Sequence, residues 1–281
     1  MSASAAAPFF RRRHALPGFG LSLGFTLAWL GLIVLVPLAA LAIRPWELGL
    51  GGIGRLMMDP RVLAAFRLSF GAALLASAIA VPLGLLLAWV ITRYRFPGRR
   101  VLDALVDLPF ALPTAVAGLA LTALFAPNGW LGAPLDELDV KVAYTPLGVV
   151  IALIFVALPF IARTVEPVLR DLPLDAEEAA ATLGATRVQT LARVVLPALA
   201  PALVTGFGLG FARAVGEYGS IIFIAGNVPM VSEILPLLIV VRLEEFDYAG
   251  AAAIGLAMLV LAFLILLGLN LWQRRLRRQT R

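Results

Sequence analysis

An arginine and a glutamate lie four residues apart in an apolar, glycine-rich stretch of this chain, at Arg213 and Glu217. Residues at that spacing share one face of a helix, so the two charges can neutralise each other. A charged side chain at membrane depth costs several kcal/mol unless it is paired or wetted. The pair therefore predicts one of two roles: an ion pair that holds helices together, or part of a polar translocation path.

The chain lacks the side chains that most catalytic and metal-binding sites require. It has no cysteine, and its only histidine, His14, follows three arginines near the N-terminus. Thiol catalysis and the usual Cys/His metal sites are thereby excluded. The only lysine, Lys141, does not belong to a glycine-rich phosphate-binding loop. We therefore predict no catalytic residue, no metal, no cofactor and no enzymatic activity.

A short polar segment with its own helix start and stop signals separates two long apolar stretches. Asp175 is placed to cap its N-terminus, with Glu178 completing a capping box, and Gly184 is placed to end it. Thr186, with a glutamine three residues later, repeats the capping pattern and starts a second helix that runs to Pro197. A helix this short is unstable alone, so we expect it to dock against a partner.

The composition predicts an integral membrane protein. Of the 281 residues, 61% are hydrophobic and 14% are charged, and the mean hydropathy is +0.96. Soluble domains carry about 25% charged residues. The net charge of +6 does not indicate nucleic-acid binding, because the arginines cluster at the ends of apolar segments, where basic residues orient membrane proteins.

The apolar segments predict six membrane-spanning helices. About 20 apolar residues suffice to cross a bilayer. The predicted spans are Leu21–Ile43, Leu63–Thr92, Val101–Phe125, Tyr144–Ala162, a fifth that ends near Ile224, and Ala249–Trp272, with a Gly/Pro-containing loop at Arg44–Arg61.

The basic residues predict the orientation of these spans. Six crossings place both termini on one side, together with the segment 163–196, which we call the Glu178 loop. That side holds 16 of the 23 basic residues, so we expect it to be cytoplasmic. The predicted organisation is a cytoplasmic tail at 1–18, a membrane domain at 19–273 and a basic cytoplasmic tail at 274–281.

The apolar run Ile234–Val241 is too short to cross a membrane. We expect it to form a re-entrant or surface helix on the outer side. Acidic residues bracket it, which indicates either a solvated cap or a docking surface for an external partner. These residues are Glu233, Glu244, Glu245 and Asp247.

The spacing of the Glu178 loop resembles the "EAA" loop of binding-protein-dependent ABC importer permeases. The motif residues are Glu178, Ala179, Ala180, Gly184, Leu196 and Pro197. The resemblance implies an all-α type I importer permease with six transmembrane helices, in the bacterial inner membrane, whose Glu178 loop contains the coupling helix. It also implies these partners: a second related permease subunit, a dimer of ATPase subunits, and a periplasmic or surface-anchored binding protein.

Three further stretches are similar to the sulfate and molybdate branch of these permeases: 107–121, 211–227 and 233–251. The resemblance implies import of sulfate or thiosulfate. Molybdate, tungstate or another oxyanion is the alternative substrate, because the binding protein sets selectivity. The expected path residues are Arg213, Glu217, Ser220, Pro113 and Thr114. An ion-coupled secondary transporter using Glu217 is a less favoured alternative, since it would need no polar coupling loop.

Overall fold

The computed structural model describes residues 19–279, with side chains as far as residue 273. The predicted tail at 1–18 lies outside the described residues, as do the side chains of the predicted tail at 274–281. Every regular element of the described part is helical. The helices are α1 (Phe19–Met57), α2 (Pro60–Arg93), α3 (Arg99–Val106), α4 (Leu108–Ala111), α5 (Thr114–Phe125), α6 (Gly132–Asp136), α7 (Pro146–Asp171), α8 (Asp175–Thr182), α9 (Arg187–Val215), α10 (Ile221–Ile224), α11 (Leu235–Glu244) and α12 (Tyr248–Gln279).

Five of these helices, α1, α2, α7, α9 and α12, are long and apolar enough to cross a membrane. The segment predicted as the third span is instead broken into α3, α4 and α5. Pro113 offers no N–H to continue a helix, and Leu112 before it is extended, with φ −81° and ψ 135°. The all-helical membrane fold is confirmed, with five long helices and one broken segment among the described residues.

Two of the prolines inside the long helices each follow a π-helical turn. The turn Gly31–Leu35 precedes Pro37, and Leu191–Val195 precedes Pro197. Proline lacks an N–H and crowds the carbonyl four residues earlier, and a wider turn accommodates both effects. The helix that starts after Thr186 therefore does not end at Pro197, as the sequence suggested, but continues as α9.

Other predicted boundaries also differ from the structure. Most of the predicted loop Arg44–Arg61 is helical, because its apolar side chains at Leu56 and Met57 pack against the core. The fourth span extends to the end of α7. The fifth span ends at Val215, and the short α10 follows after a break.

The centre of the bundle is formed by α2, α7 and α9. Gly206 and Gly210 of α9 lie against Ala157 and Ile161 of α7, and a Cβ on Gly206 would come within 3.0 Å of the Ile161 Cα. Membrane helices associate through such close backbone contacts, which only small residues allow. The two glycines fix α9, and with it Arg213, against the rest of the bundle.

Candidate functional site

The Glu178 loop begins with α8, whose N-cap residue is Leu174. The backbone N–H groups of Glu177 and Glu178 both donate to the Leu174 carbonyl at 2.9 Å. The expectation that Asp175 caps this helix is wrong, because Leu174 is already helical (φ −65°, ψ −25°) and Asp175 falls in the first turn. The three carboxylates of that turn still interact favourably with the positive end of the helix dipole.

Gly184 ends α8, as the sequence predicted. Its φ of +84° lies in the left-handed region that glycine adopts without strain. The N–H of Gly184 donates to the Ala181 carbonyl, and the N–H of Ala185 donates to the Ala180 carbonyl, both at 3.0 Å. This pair of bonds is a Schellman motif, which satisfies the last carbonyls of the helix.

The predicted capping box at Thr186 is confirmed and starts α9. The Thr186 N–H donates to Gln189 Oε1 at 2.8 Å, and the Gln189 N–H donates to Thr186 Oγ1 at 3.3 Å. The end of α8 and the start of α9 are thus each closed by their own hydrogen bonds, and a turn of a few residues joins the two helices.

The outer surface of this loop carries a carboxylate and apolar side chains without partners in the described chain. Glu178 is exposed and makes no ion pair there. Leu183 is 88% exposed and Val188 is 75% exposed. Ala179 and Ala180 lie on the same helix. Exposed apolar side chains beside an unpaired charge, at the end of a bundle, indicate a surface that another protein covers.

Arg93 ties this loop to the end of α2. Its Nη2 atom lies 2.8 Å from Glu177 Oε1 and 3.4 Å from the Leu172 carbonyl oxygen. Its guanidinium also lies over the Trp89 ring, 5.8 Å from the centroid. The pair is half-buried, which strengthens it relative to a surface ion pair. No local sequence pattern indicates this link, because the partners lie in different elements.

A second arginine fixes the broken third segment to α7. Arg163 binds both carboxylate oxygens of Asp107 at 2.7 and 2.8 Å and contacts Asp103 and Glu166 at 2.6 Å. Arg170 in turn lies 2.5 Å from Glu166. The only sequence signal was the four-residue spacing of Asp103 and Asp107, which did not identify their partner.

Arg213 and Glu217 form the ion pair that their spacing predicted. The Glu217 side chain is 1% exposed, whereas that of Arg213 is 35% exposed. The second Glu217 oxygen accepts hydrogen bonds from the N–H and the hydroxyl of Ser220, both at 3.0 Å. The carboxylate therefore has two tasks: it neutralises Arg213 and holds the break between α9 and α10.

The broken third segment meets this second break directly. A Cβ on Gly219 would overlap the Thr114 side chain, and a Cβ on Gly118 would overlap the Ser220 backbone. Pro113 is the N-cap residue of α5 at the same junction. The sequence-predicted path residues thus lie on two segments that touch each other. Irregular backbone within a membrane bundle is tolerated where protein or a polar cavity surrounds it.

The acidic residues around α11 do not form one surface. Glu233 is buried, and both its oxygens accept from the Arg61 guanidinium at 2.7 Å. The expectation that Glu233 lies on an outer surface is therefore wrong. Asp247 is paired with an arginine at 3.2 Å and caps α12. Glu244 and Glu245 are exposed. Of the four acidic residues, Glu244 and Glu245 therefore offer the exposed negative charge.

The sequence model of a family described as "Binding-protein-dependent transport system inner membrane component" matches residues 80–281. The chain is 49% identical to the "Sulfate transport system permease protein CysT" of Salmonella typhimurium, over 95% of this chain and 96% of that protein. The Escherichia coli protein of the same name gives the same figures. That of Synechococcus elongatus is 46% identical, over 89% of this chain and 90% of that protein.

Solved structures show the same fold at low sequence identity. A subunit of a bacterial ABC transporter involved in alginate import superposes with a TM-score of 0.75 at 17% identity, over 92% of this chain and 96% of that chain. The alginate transporter in complex with its periplasmic protein gives a TM-score of 0.75 at 20% identity, over 91% of this chain and 93% of that chain. The chain therefore shares its overall fold with these structures.

Proposed function

The chain belongs to the family of binding-protein-dependent transport system inner membrane components, and from this premise we propose that it is the permease subunit of an ATP-driven importer of sulfate and thiosulfate. The observation that carries the proposal is the 49% identity, over nearly the full length of both chains, to permeases named for sulfate transport. The names of these relatives specify sulfate, which disfavours molybdate, tungstate and other oxyanions as the substrate. An ion-coupled secondary transporter is disfavoured by the family and by the Glu178 loop.

The energetics of sulfate uptake require a driving force. Moving a dianion inward against an inside-negative potential of 100 mV costs about 2.3 kcal/mol per charge, or roughly 4.6 kcal/mol in total. An open pore could not accumulate the anion. We assign ATP hydrolysis to separate ATPase subunits, because the chain lacks a glycine-rich phosphate-binding loop with a lysine.

The Glu178 loop is the proposed contact with the ATPase. Glu178 supplies an unpaired carboxylate, and Leu183 and Val188 supply the apolar surface beside it. Closure of an ATPase dimer would move α8 and the start of α9 together, because only a short turn with hydrogen-bonded helix ends on both sides separates them. Arg93 would carry the same movement to α2. Nucleotide binding would then shift the equilibrium between two conformations of the helix bundle.

The proposed orientation places the Glu178 loop and both termini in the cytoplasm. At the loop end, the described chain carries the basic residues Arg93, Arg95, Arg99, Arg100, Arg163, Arg170, Arg187 and Arg193. The opposite end carries Arg44, Arg55, Arg61, Lys141 and Arg242. Basic residues are concentrated on the cytoplasmic side of bacterial membrane proteins.

The translocation path runs past Arg213 in this proposal. A partly exposed guanidinium lowers the barrier for a dianion in a region of low dielectric constant, and its pairing with Glu217 keeps the anion from binding too tightly. Ser220, Pro113 and Thr114 line the junction of the two breaks. A second, related permease subunit would complete the path.

The exposed pair Glu244 and Glu245 is the proposed docking surface for the binding protein, with Asp247 holding the start of α12 behind it. A cysteine in place of Glu244 should cross-link to the binding protein in intact cells. Labelling of that cysteine only after cell lysis would contradict the orientation.

Transport by the reconstituted complex tests the substrate. We expect proteoliposomes with the permease pair, the ATPase and the binding protein to take up radiolabelled sulfate, and unlabelled thiosulfate to compete at similar concentrations. Molybdate should compete at least tenfold less well. Preferred uptake of molybdate would contradict the sulfate assignment and leave the ATP-driven mechanism standing.

Charge reversal at Arg93 should uncouple ATP hydrolysis from transport. In Arg93→Glu the carboxylate would face Glu177, so the half-buried bridge becomes a repulsion. We expect the number of ATP molecules hydrolysed per sulfate imported to rise severalfold. The swapped variant Arg93→Glu/Glu177→Arg is the matched control and should recover most of the coupling. An unchanged ratio of ATP hydrolysed to sulfate imported in Arg93→Glu would show that the bridge does not transmit movement from the Glu178 loop to α2.

A further inference from the structure

Three arginines contribute to the lining of one open cavity where the chain leaves α2 and enters α3. The cavity has a volume of about 380 Å³ and is lined by Arg95, Phe96, Gly98, Arg99, Arg100 and Val101; we call it the arginine pocket. Gly98 shapes this cavity, because its φ of +87° turns the chain between Arg95 and the first turn of α3.

The guanidinium groups of this pocket have no counter-ion among the described residues. The nearest acidic residue in sequence, Asp103, lies three and four positions after Arg100 and Arg99, the spacing at which helical ion pairs form. Its carboxylate is instead bound to Arg163 at 2.6 Å. Three arginines without a counter-ion beside one cavity offer an anion site, and the planar donor geometry of guanidinium suits phosphate.

The surroundings of the pocket indicate the source of the phosphate. Phe96 and Val101 line the cavity itself, and Val101 and Leu105 are 63% and 54% exposed. The opposite face of α3 is already covered by protein, since Leu102 and Val106 pack in the core. Exposed apolar side chains contribute nothing to the binding of a free anion, whereas lipid acyl chains would cover them.

We propose that the arginine pocket binds the phosphate headgroup of an anionic phospholipid, with its acyl chains lying over Val101 and Leu105. The bound lipid would fill the space beside the end of α2, next to the Arg93 bridge to the Glu178 loop. Basic residues at a membrane surface attract anionic lipid, each contributing roughly a fivefold gain in affinity. The inference does not depend on which anion the transporter carries.

Titration of the delipidated, complete transporter with phosphatidylglycerol, and with phosphatidylcholine of the same acyl chains, tests the proposal by native mass spectrometry. We expect the wild type to prefer phosphatidylglycerol by at least tenfold. In Arg95→Gln/Arg99→Gln/Arg100→Gln the affinity for phosphatidylglycerol should fall about 100-fold. The control Arg193→Gln, an exposed arginine at the same end of the bundle, should leave that affinity unchanged.

Two glycine variants keep every arginine and so separate the pocket from general surface charge. Nothing lies within 4 Å of a Cβ at Gly98, so a side chain there meets only the cost of its positive φ. Gly98→Val should lose most of the preference for phosphatidylglycerol, whereas Gly98→Asn should retain it, because asparagine tolerates that conformation. Full preference in Gly98→Val or in the triple glutamine variant would overturn the proposal. Displacement of the lipid by millimolar inorganic phosphate would equally overturn it, in favour of a free-anion site.

Discussion

Replacing Glu178 with lysine should abolish sulfate uptake while the permease still folds and inserts into the membrane. Glu178 is exposed and has no partner in the described chain, so its loss removes no internal contact. At the proposed interface with the ATPase, reversing a charge that becomes buried would cost about 2–5 kcal/mol. We expect uptake to fall by roughly two orders of magnitude, and the ATPase to be lost on purification.

The control for this variant is Glu137→Lys, which makes the same charge change at an exposed position outside the Glu178 loop. It should retain uptake and the ATPase. Gly184→Val provides a second, independent disruption, because a β-branched residue is strained at a φ of +84° and the turn between α8 and α9 would rearrange. Normal uptake by both Glu178→Lys and Gly184→Val would refute the coupling role of the loop.

Changing Arg213 and Glu217 together should separate folding from transport. The single variant Arg213→Gln leaves a carboxylate that is 1% exposed without its cation, which costs about 3–5 kcal/mol and should lower the yield of folded protein. In Arg213→Gln/Glu217→Gln both charges disappear together, and the amide oxygen at position 217 can still accept from Ser220. We expect this double variant to assemble with the ATPase at near wild-type yield.

The transport rate of the double variant distinguishes the two roles of the pair. If Arg213 lowers the barrier for the dianion, uptake should fall at least tenfold although the protein is stable. The conservative variant Arg213→Lys retains the cation and should recover part of the rate. Full uptake by the stable double variant would mean that the pair only holds the break between α9 and α10 in place.

Local signals allowed part of the Glu178 loop to be predicted from the sequence. The stop at Gly184 and the capping box at Thr186 depend on residues within one turn of each other, and both are present in the structure. The cap at Asp175 failed because the helix begins one residue earlier, a shift that backbone geometry decides. A proline in the sequence does not by itself show whether a helix ends there. The helix α9 continues past Pro197 after a π turn, whereas the chain breaks at Pro113.

Long-range partners could not be predicted. Arg93 pairs with Glu177, Arg61 with Glu233, and Arg163 with Asp103 and Asp107, and each bridge joins elements far apart in the chain. Any of the many arginines could have paired with these carboxylates, since hydrophobic patterning does not specify how helices face each other. Packing of α2, α7 and α9 decides these pairs, and it is also what buries Glu233 where the sequence suggested a surface residue.

The dependence of uptake on ATP tests the central claim most directly. Proteoliposomes that contain the permease pair and the ATPase, with binding protein and radiolabelled sulfate outside, are loaded with ATP or left without it. The account predicts accumulation only with ATP inside, no effect of dissipating proton and sodium gradients, and no accumulation with Glu178→Lys. Accumulation without ATP, driven by an ion gradient and unchanged in Glu178→Lys, would contradict it.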